Sequence, residues 1–266
     1  MKDIGKFEKR VFPASRLFTI DICQIGSRKH YVQALVELDV TKARDKIKEL
    51  KQTKPGISFN AWLIKCVSEV CAEYKEIHGI RSGRRKTVVF DDVDISILVE
   101  REVNGKKVPL PYIIRKANTK SITDIHTEIS NAQGQTISGE GDYVLGGKWN
   151  DLVIKGFCML PGFVRRFTFK AALSNPKLVK QSMGTVAFTS LGMMGRFRGW
   201  VIPIGVHPLI FGIGSIHKAP SCIDGNIETR EFLKVTMLVD HDVVDGAPAI
   251  RALSKLTRLI ESGYGL

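Results

Sequence analysis

Three residues near the C-terminus have the types and the spacing needed for proton-transfer chemistry. His241, Asp245 and Gly246 form the pattern H-x-x-x-D-G within VDHDVVDGAPAI, the stretch from Val239 to Ile250. Histidine titrates near neutral pH, so a neutral imidazole at this position can accept a proton as a general base. The pattern is short, however, and on spacing alone a polar residue at the end of a strand is the better interpretation.

A predicted strand and a predicted helix flank this histidine. The apolar run EFLKVTMLVD leads directly to His241, and APAIRALSKLTRLIES predicts a helix with Pro248 in its first turn. Three further runs, GTVAFTSLG, VIPIGV and LIFGIG, also predict strands. We therefore expect a β-sheet to position the candidate base. The buried stripe of the helix is expected to comprise Ile250, Leu253, Leu256 and Ile260.

Two segments of the first half alternate in the manner of half-buried strands. Both YVQALVEL and DDVDISILVE place an apolar side chain at every second position. The strand-like YIIRK follows a short link that contains Pro109 and Pro111. The inward-facing residues are expected to be Val32, Ala34, Val36 and Leu38 in the first strand and Val93, Ile95, Ile97 and Val99 in the second.

Helices are predicted in the same half by apolar spacing and by their N-terminal caps. VTKARDKIKEL has Thr41 as its expected cap, and SFNAWLIKCVSEVCAEY has Ser58. In SITDIHTEI, Ser121 and Asp124 form the pattern of a capping box. Each helix has one apolar face, which we expect to enter the core.

The segment from residue 131 to residue 184 is the least regular part of the sequence. A glycine-rich stretch precedes DLVIKGFCMLPGFVRRFTFKAAL, whose apolar residues are interrupted by Lys155, Pro161, Arg165 and Arg166. These residues exclude a membrane span. A helix-rich insertion, packed on its own domain or on a neighbouring subunit, is favoured over an interfacial amphipathic segment.

The composition is that of a globular protein. Of 266 residues, 44% are hydrophobic and 25% are charged, which excludes a disordered chain. The charged N-terminus lacks the apolar stretch of a signal peptide, so we expect a cytoplasmic location. None of the five cysteines belongs to a C-x-x-C pair, and reduced, mostly buried thiols are expected.

The net charge of +13 raises the question of an anionic partner. The candidates are nucleic acid, a membrane surface and a phosphate-bearing cofactor. The one tight basic cluster is SGRRK, from Ser82 to Lys86, in a predicted turn. Nucleic-acid binding is disfavoured because zinc-finger spacing and aromatic-rich basic strands are lacking. The other histidines, among them His78 and His217 in expected loops, show no metal-ligand spacing, so no metal is expected.

Several stretches together resemble the catalytic domain of the 2-oxo-acid dehydrogenase acyltransferases, also called dihydrolipoamide acyltransferases. Residues Asp240 to Ala247, DHDVVDGA, are similar to the family signature D-H-R-x-x-D-G-A, and GTVAFTSLGMMG resembles G-T-F-T-I-S-N-L-G-M-F-G. HYVQALVELDVTKA and ISFNAWLIKCVSEV resemble two further family segments. Chloramphenicol acetyltransferase has the related pattern H-H-x-x-x-D-G. The resemblance covers most of the chain and leaves residues 131–184 outside it.

The resemblance implies a role for each residue of the motif. His241 is expected to take the proton of a thiol or hydroxyl acceptor, which then attacks the thioester of an acyl donor. Asp245 matches an aspartate that forms an ion pair with an N-terminal arginine in the chloramphenicol acetyltransferase branch. Arg16 is the expected partner, with Arg10 as the alternative, and a solvated surface charge is almost as good an interpretation of either arginine. Gly246 supports the turn.

The resemblance also implies an oxyanion donor from the block AFTSLG. Alignment on the glycines places Thr189 where the family has a serine, and Ser190 is the alternative if the register differs by one residue. Asp242 departs from the family because it stands where the acyltransferases have an arginine. That departure leaves the acceptor open.

The implied fold is α/β: the two-layer architecture of chloramphenicol acetyltransferase, with a mixed sheet flanked by helices, in a trimer whose active sites lie between subunits. Residues 1–266 are expected to form a single catalytic domain in which 131–184 is a divergent or inserted segment. A lipoyl domain and a subunit-binding domain are not expected. A free-standing enzyme is favoured over an excised fragment because the numbering begins at Met1.

Three functions are open at this point. The first is a coenzyme A-dependent acyltransferase acting on a thiol acceptor such as dihydrolipoamide, presented by a lipoyl-bearing protein or as a small molecule. A free-standing O- or N-acyltransferase is a variant of it. Coenzyme A is expected as a substrate, with no lipoyl group on this chain. The second is a non-catalytic oligomeric core, either a trimer or a larger shell. The third is a binder of anionic surfaces.

Overall fold

The described part of the chain contains a six-stranded mixed β-sheet with helices packed against it. The computed structural model describes residues 5–9, 12, 15–53, 56–103, 106–134, 156–191 and 197–266. The strands of the sheet lie in the order β1-β8-β7-β6-β4-β5, and β2 and β3 form a separate hairpin. The strands are β1 Tyr31–Asp39, β2 Ile80–Ser82, β3 Lys86–Val88, β4 Ile95–Val103, β5 Lys106–Ile114, β6 Val186–Ser190, β7 Leu209–Ile223 and β8 Asn226–Asp240.

The helices form two groups. Helices α2, α3, α4 and α7 contact one another and the sheet, and α3 contributes Trp62, which is fully buried. Helices α1 and α5 contact each other, and a small second cluster of apolar side chains, including the stacked rings of Phe18 and Phe157, lies beside them. The helices are α1 Ser15–Gly26, α2 Thr41–Thr53, α3 Phe59–Glu73, α4 Ile122–Gly134, α5 Gly162–Leu173, α6 Pro176–Met183 and α7 Gly246–Ser262.

The sheet pairing brings the start of β1 next to the end of β8. These two strands are antiparallel, with Tyr31 opposite Asp240. Strand β8 is also antiparallel to β7, which in turn is parallel to β6. The residue that follows β8, His241, therefore emerges beside the residues that precede β1.

Two of the predicted helix caps are confirmed. The Ser58 side chain accepts a hydrogen bond from the backbone N–H of Ala61 at the start of α3. At α4, Ser121 Oγ accepts from the Asp124 N–H at 3.1 Å, and the Asp124 carboxylate accepts from the Ser121 N–H at 3.0 Å. The capping box thus satisfies two backbone donors.

Thr41 has another role than the predicted one. It is the first residue of α2, and its N–H and its hydroxyl both donate to Oδ1 of Asp39, at 2.9 and 2.6 Å. A preceding carboxylate takes the place of a threonine cap because Asp39 lies close to the unpaired N–H groups of the first turn.

Pro109 and Pro111 lie within a strand, so the predicted link between two strands is wrong. Both belong to β5, at the edge of the sheet, where they pair with Glu100 and Leu98 of β4. Residues two apart in a strand direct their backbone nitrogens to the same side. Prolines are tolerated at an edge because the side without a neighbouring strand needs no N–H donor.

The segment VIPIGV, residues 201–206, is not a strand, contrary to prediction. Its backbone passes over β7 instead, so close that a Cβ atom on Gly212 would lie 2.4 Å from the carbonyl oxygen of Val201. A glycine in β7 leaves the room that this crossing needs. Of its apolar side chains, Val206 is buried, whereas Ile202 and Ile204 are 50% and 61% exposed.

Other predictions are confirmed in part: in β1, Leu38 is buried as expected, but Val32 is 37% exposed. Val93, Ile95, Ile97 and Val99 are all buried, as the alternation indicates. In α7 the buried stripe includes Leu253, Leu256 and Ile260, whereas Ile250 is 54% exposed and Ala249 and Ala252 take its place in the core. The cluster Ser82 to Lys86 spans the turn between β2 and β3, which residues 83–85 form. None of the described helices is long and apolar enough to cross a membrane.

Candidate active site

His241 occupies a tight turn between β8 and α7. The carbonyl oxygen of Asp240 accepts hydrogen bonds from the N–H groups of Val243 and Val244, at 3.0 and 3.2 Å. The His241 N–H donates to the carbonyl oxygen of His30 at 2.8 Å, which ties the turn to the start of β1. The imidazole is exposed, and within the described residues neither of its nitrogens has a hydrogen-bond partner. The ring is thus held by its backbone and is accessible to a reactant.

Asp245 and Gly246 begin helix α7. Asp245 is the N-cap residue, with φ −73° and ψ 166°, but its carboxylate accepts no capping hydrogen bond and is exposed. Arg16 lies on α1 and is also exposed, and neither residue forms an ion pair within the described residues. Arg10 lies outside the described residues. The Arg16–Asp245 pair therefore stays a prediction.

Thr189 and His241 lie far apart within one chain. Thr189 of β6 is opposite Gly212 of β7, and Gly212 is opposite Thr236 of β8. At the usual rise of a strand, the stretch from Thr236 to His241 spans roughly 16 Å. Ser190, next to Thr189, donates its hydroxyl to Asn60 Oδ1 at 3.4 Å. A single chain does not place either hydroxyl beside the base.

Asp242 points to the start of β1 and to the β2–β3 hairpin. Its Oδ1 lies 2.9 Å from Nδ1 of His30, and its Oδ2 lies 3.6 Å from a guanidinium nitrogen of Arg81. The hydrogen bond with His30 holds the pKa of the Asp242 carboxyl below its usual range. Asp242 is therefore ionised at neutral pH and engaged on the side of His30.

Asp240, on the other side of His241, is buried and forms an ion pair with Lys29. One of its carboxylate oxygens also accepts from the Asp242 N–H at 3.2 Å. Lys29, Arg81 and Asp240 had no assigned role in the sequence. The sequence did show two aspartates on either side of His241. Their partners could not be predicted from it, because Lys29 and His30 come next to these aspartates only through the pairing of Tyr31 with Asp240.

Two small cavities adjoin this region. One, of about 80 Å³, is lined by Lys29, Asp240, Val243 and the residues 79–81. The other, of about 150 Å³, lies between the end of α1, the start of β1 and the segment 202–204. Both are smaller than usual pockets for cofactor-sized ligands, which measure about 300–1,000 Å³. Neither cavity is large enough by itself for a ligand of the size of coenzyme A.

His78 and His217 do not lie in loops, contrary to prediction. His78 ends a short 3-10 helix and is fully buried, with Nδ1 3.0 Å from the hydroxyl of Thr185, and His217 lies within β7. Burial, with a smaller contribution from Lys180, lowers the pKa of His78 to about 4. Within the described residues, no three potential ligands among His, Cys, Asp and Glu are grouped as a metal site requires.

Acidification should therefore destabilise the protein through His78. The unfolded histidine takes up its proton near pH 6.5, whereas the folded one does so only near pH 4, so stability is complete above 6.5 and falls between 6.5 and 4. The expected slope from this residue is about 1.4 kcal/mol per pH unit. Urea unfolding at pH 7 and pH 5 measures how the free energy of unfolding depends on pH. This dependence should be weaker in His78→Gln. Equal slopes for the two proteins would contradict this origin.

The comparisons with known proteins identify the family. Residues 28–140 and 163–265 match the 2-oxoacid dehydrogenases acyltransferase (catalytic domain) family. The chain is 24% identical, over 83% of its length, to the dihydrolipoyllysine-residue succinyltransferase component of the 2-oxoglutarate dehydrogenase complex of Bos taurus, of which it covers 40%. It is also 24% identical, over 96% of its length, to the lipoamide acyltransferase component of the branched-chain alpha-keto acid dehydrogenase complex of Bacillus subtilis, of which it covers 55%.

Solved structures confirm the predicted fold. The chain superposes on a probable dihydrolipoamide acetyltransferase from Listeria monocytogenes with a TM-score of 0.69, 19% identity and coverage of 97% and 96% of the two chains. For the truncated catalytic core of the 2-oxoacid dehydrogenase multienzyme complex from Thermoplasma acidophilum, the TM-score is 0.65 at 18% identity, with 97% and 99% covered. The chain spans about half or less of the length of the two curated relatives. By its sequence match and its fold, the chain belongs to the family of 2-oxoacid dehydrogenase acyltransferase catalytic domains.

Proposed function

We propose that this chain transfers an acyl group between coenzyme A and the thiol of a dihydrolipoyl group, with His241 as the general base. The observation that carries the proposal is the imidazole itself, exposed and held by its backbone at the end of β8, in a chain of this family. The relatives are named for the same reaction type, acyl transfer to a dihydrolipoyllysine residue or lipoamide.

The chemistry requires one proton transfer in each direction. The neutral imidazole of His241 takes the proton of the acceptor thiol, and the sulfur attacks the thioester carbonyl carbon of the acyl donor. A tetrahedral intermediate forms, and its oxyanion needs a hydrogen-bond donor. When the intermediate collapses, the carbon–sulfur bond to coenzyme A breaks and the imidazolium returns its proton to the departing thiolate.

We assign the oxyanion donor to Thr189 of a neighbouring copy. Support comes from a dihydrolipoamide acetyltransferase of Azotobacter vinelandii, solved to examine a serine, a histidine and an asparagine in its catalytic mechanism. In that protein the serine precedes the histidine by as many positions as Thr189 precedes His241, and the asparagine follows it as Asp245 does here. Since Thr189 and His241 of one chain lie roughly 16 Å apart along the strand direction, a site that uses both groups takes them from different copies.

The assembly that provides this arrangement is a trimer or a larger assembly of trimers, with acyl-coenzyme A bound where two copies meet. One solved relative is the cubic core of a pyruvate dehydrogenase multienzyme complex. A lipoyl-bearing protein or a small dithiol is the proposed acceptor. The predicted cytoplasmic location and the single-domain organisation stay predictions, because one relative is mitochondrial and both are longer than this chain.

The proposal is tested by mixing the protein with acetyl-, succinyl- or branched-chain acyl-coenzyme A, with and without dihydrolipoamide. Mass spectrometry of S-acyl-dihydrolipoamide and assay of free coenzyme A measure the two products. We expect equal amounts of both, only when the acceptor is present. Release of coenzyme A without acceptor, or no product from any donor, would instead favour a hydrolase or the non-catalytic core.

A further inference from the structure

The turn that contains His241 is attached to the start of β1 by both of its neighbouring carboxylates. Asp240 binds Lys29, and Asp242 binds His30. The two aspartates thus hold two successive residues of the opposite segment. Between these side-chain contacts, the His30 carbonyl oxygen accepts the His241 N–H at 2.8 Å.

The two attachments differ in exposure. The Asp240 side chain is 7% exposed, so its ion pair with Lys29 is largely buried on the Asp240 side. The side chains of Asp242 and His30 are 41% and 75% exposed, so their contact contributes little to global stability. A hydrogen bond in this position is better suited to fixing a local geometry than to holding the fold together.

Asp242 also contacts Arg81. Its guanidinium lies 3.6 Å from the second carboxylate oxygen, and it comes from β2, which is not part of the main sheet. Asp242 is therefore held between the β2–β3 hairpin and the start of β1. A side chain held from two sides restrains the backbone of its own turn, and with it the direction of the adjacent imidazole.

We propose that Asp242, together with His30, is a positioning residue for His241. This inference rests on the proposed function. Asp242 fixes the His30 side chain, and His30 in turn presents the carbonyl oxygen that anchors the His241 backbone. The residue at position 242, where this chain departs from the family signature, thus supplies contacts that restrain the turn of the proposed base.

The first arm of the test is kinetic, on the complete protein. Asp242→Ala and His30→Ala should each lower kcat of acyl transfer about tenfold with KM within about twofold, because misplacement of a base affects the reaction more than binding. The double variant should be no slower than either single variant, since both remove one interaction. Asp242→Glu should recover part of the loss. Asp92→Asn, which breaks a similarly exposed contact with Lys116, is the matched control.

The pH profile separates positioning from an electrostatic effect on the base. Among the described residues, the charged or titratable groups found around Asp242 are Arg81, Lys29, His30 and Asp240. If Asp242 positions His241, the apparent pKa of kcat/KM should be the same in Asp242→Ala and in the unaltered protein. A lowered apparent pKa, additive losses in the double variant, or unchanged kcat in the single variants would each overturn the inference.

The second arm does not depend on activity. Hydrogen exchange, followed by mass spectrometry of peptides that cover residues 239–245, reports on the His241 N–H. Exchange there should be faster in Asp242→Ala and His30→Ala and unchanged in Asp92→Asn. If the unaltered protein transfers no acyl group, the proposed function fails, and the exchange data still decide whether Asp242 holds the turn. Identical exchange in all variants would overturn the inference by itself.

Discussion

Replacing His241 with alanine is expected to lower kcat of acyl transfer by a factor of about 10² to 10⁴, the usual contribution of a general base. The loss should not come from misfolding, because the His241 side chain is exposed and the anchoring contact with His30 uses only the backbone N–H. Thiol release from acyl-coenzyme A in the presence of dihydrolipoamide measures the rate.

A matched control is His126→Ala, since His126 lies on α4 and is assigned no part in the reaction. Circular dichroism and size-exclusion chromatography should show the same fold and assembly for both variants and for the unaltered protein. Full activity in His241→Ala would exclude this residue as the base.

The largest effect on stability is expected from Arg165→Ala. Arg165 Nε donates to Oδ2 of the fully buried Asp21 at 2.7 Å, and one of its Nη atoms donates to the carbonyl oxygen of Leu160 at 2.6 Å. Among the described residues, removal of the arginine leaves the buried carboxylate with one cation, Arg166, at 3.3 Å. Loss of one partner of a buried ion pair costs about 3 to 5 kcal/mol, and the remaining contact places this case near 3 kcal/mol.

Arg166→Ala is the control for this prediction. Its side chain is 35% exposed and its contact with Asp21 is longer, so we expect a loss of less than about 1 kcal/mol. Urea unfolding of both variants measures the free energy of unfolding. A loss for Arg165→Ala no larger than that for Arg166→Ala would contradict the dominant role of Arg165 in stabilising the buried Asp21 carboxylate.

The sequence predicted the elements around the site where a strong periodicity coincided with clear ends. Examples are the buried alternation of Val93 to Val99, the caps at Ser58 and Ser121, and the strand that ends immediately before His241. Local pattern decides such features because each depends on residues a few positions apart.

What the sequence could not predict depends on pairing between distant segments. Pro109 and Pro111 are compatible with a strand only because β5 is the sheet edge, and strand order is a property of the whole fold. The contacts of Asp242 with His30 and Arg81 join segments more than a hundred residues apart. In the sequence, Arg165 only interrupts an apolar run. In the structure its buried ion pair with Asp21 attaches α5 to α1.

The central claim is that each active site combines His241 of one copy with Thr189 of another, and mixed assemblies test it most directly. Thr189→Val and His241→Ala should each be nearly inactive, since an oxyanion donor generally contributes about 10² to 10³ in rate. The two variants are coexpressed with different tags, and assemblies that carry both tags are purified. Activity should return at one site in three of each mixed trimer, or at about one in four if the assembly is a larger shell of randomly mixed trimers. Recovery near that level is the predicted result. Mixed assemblies no more active than the average of the two single variants would show that the site does not form between copies.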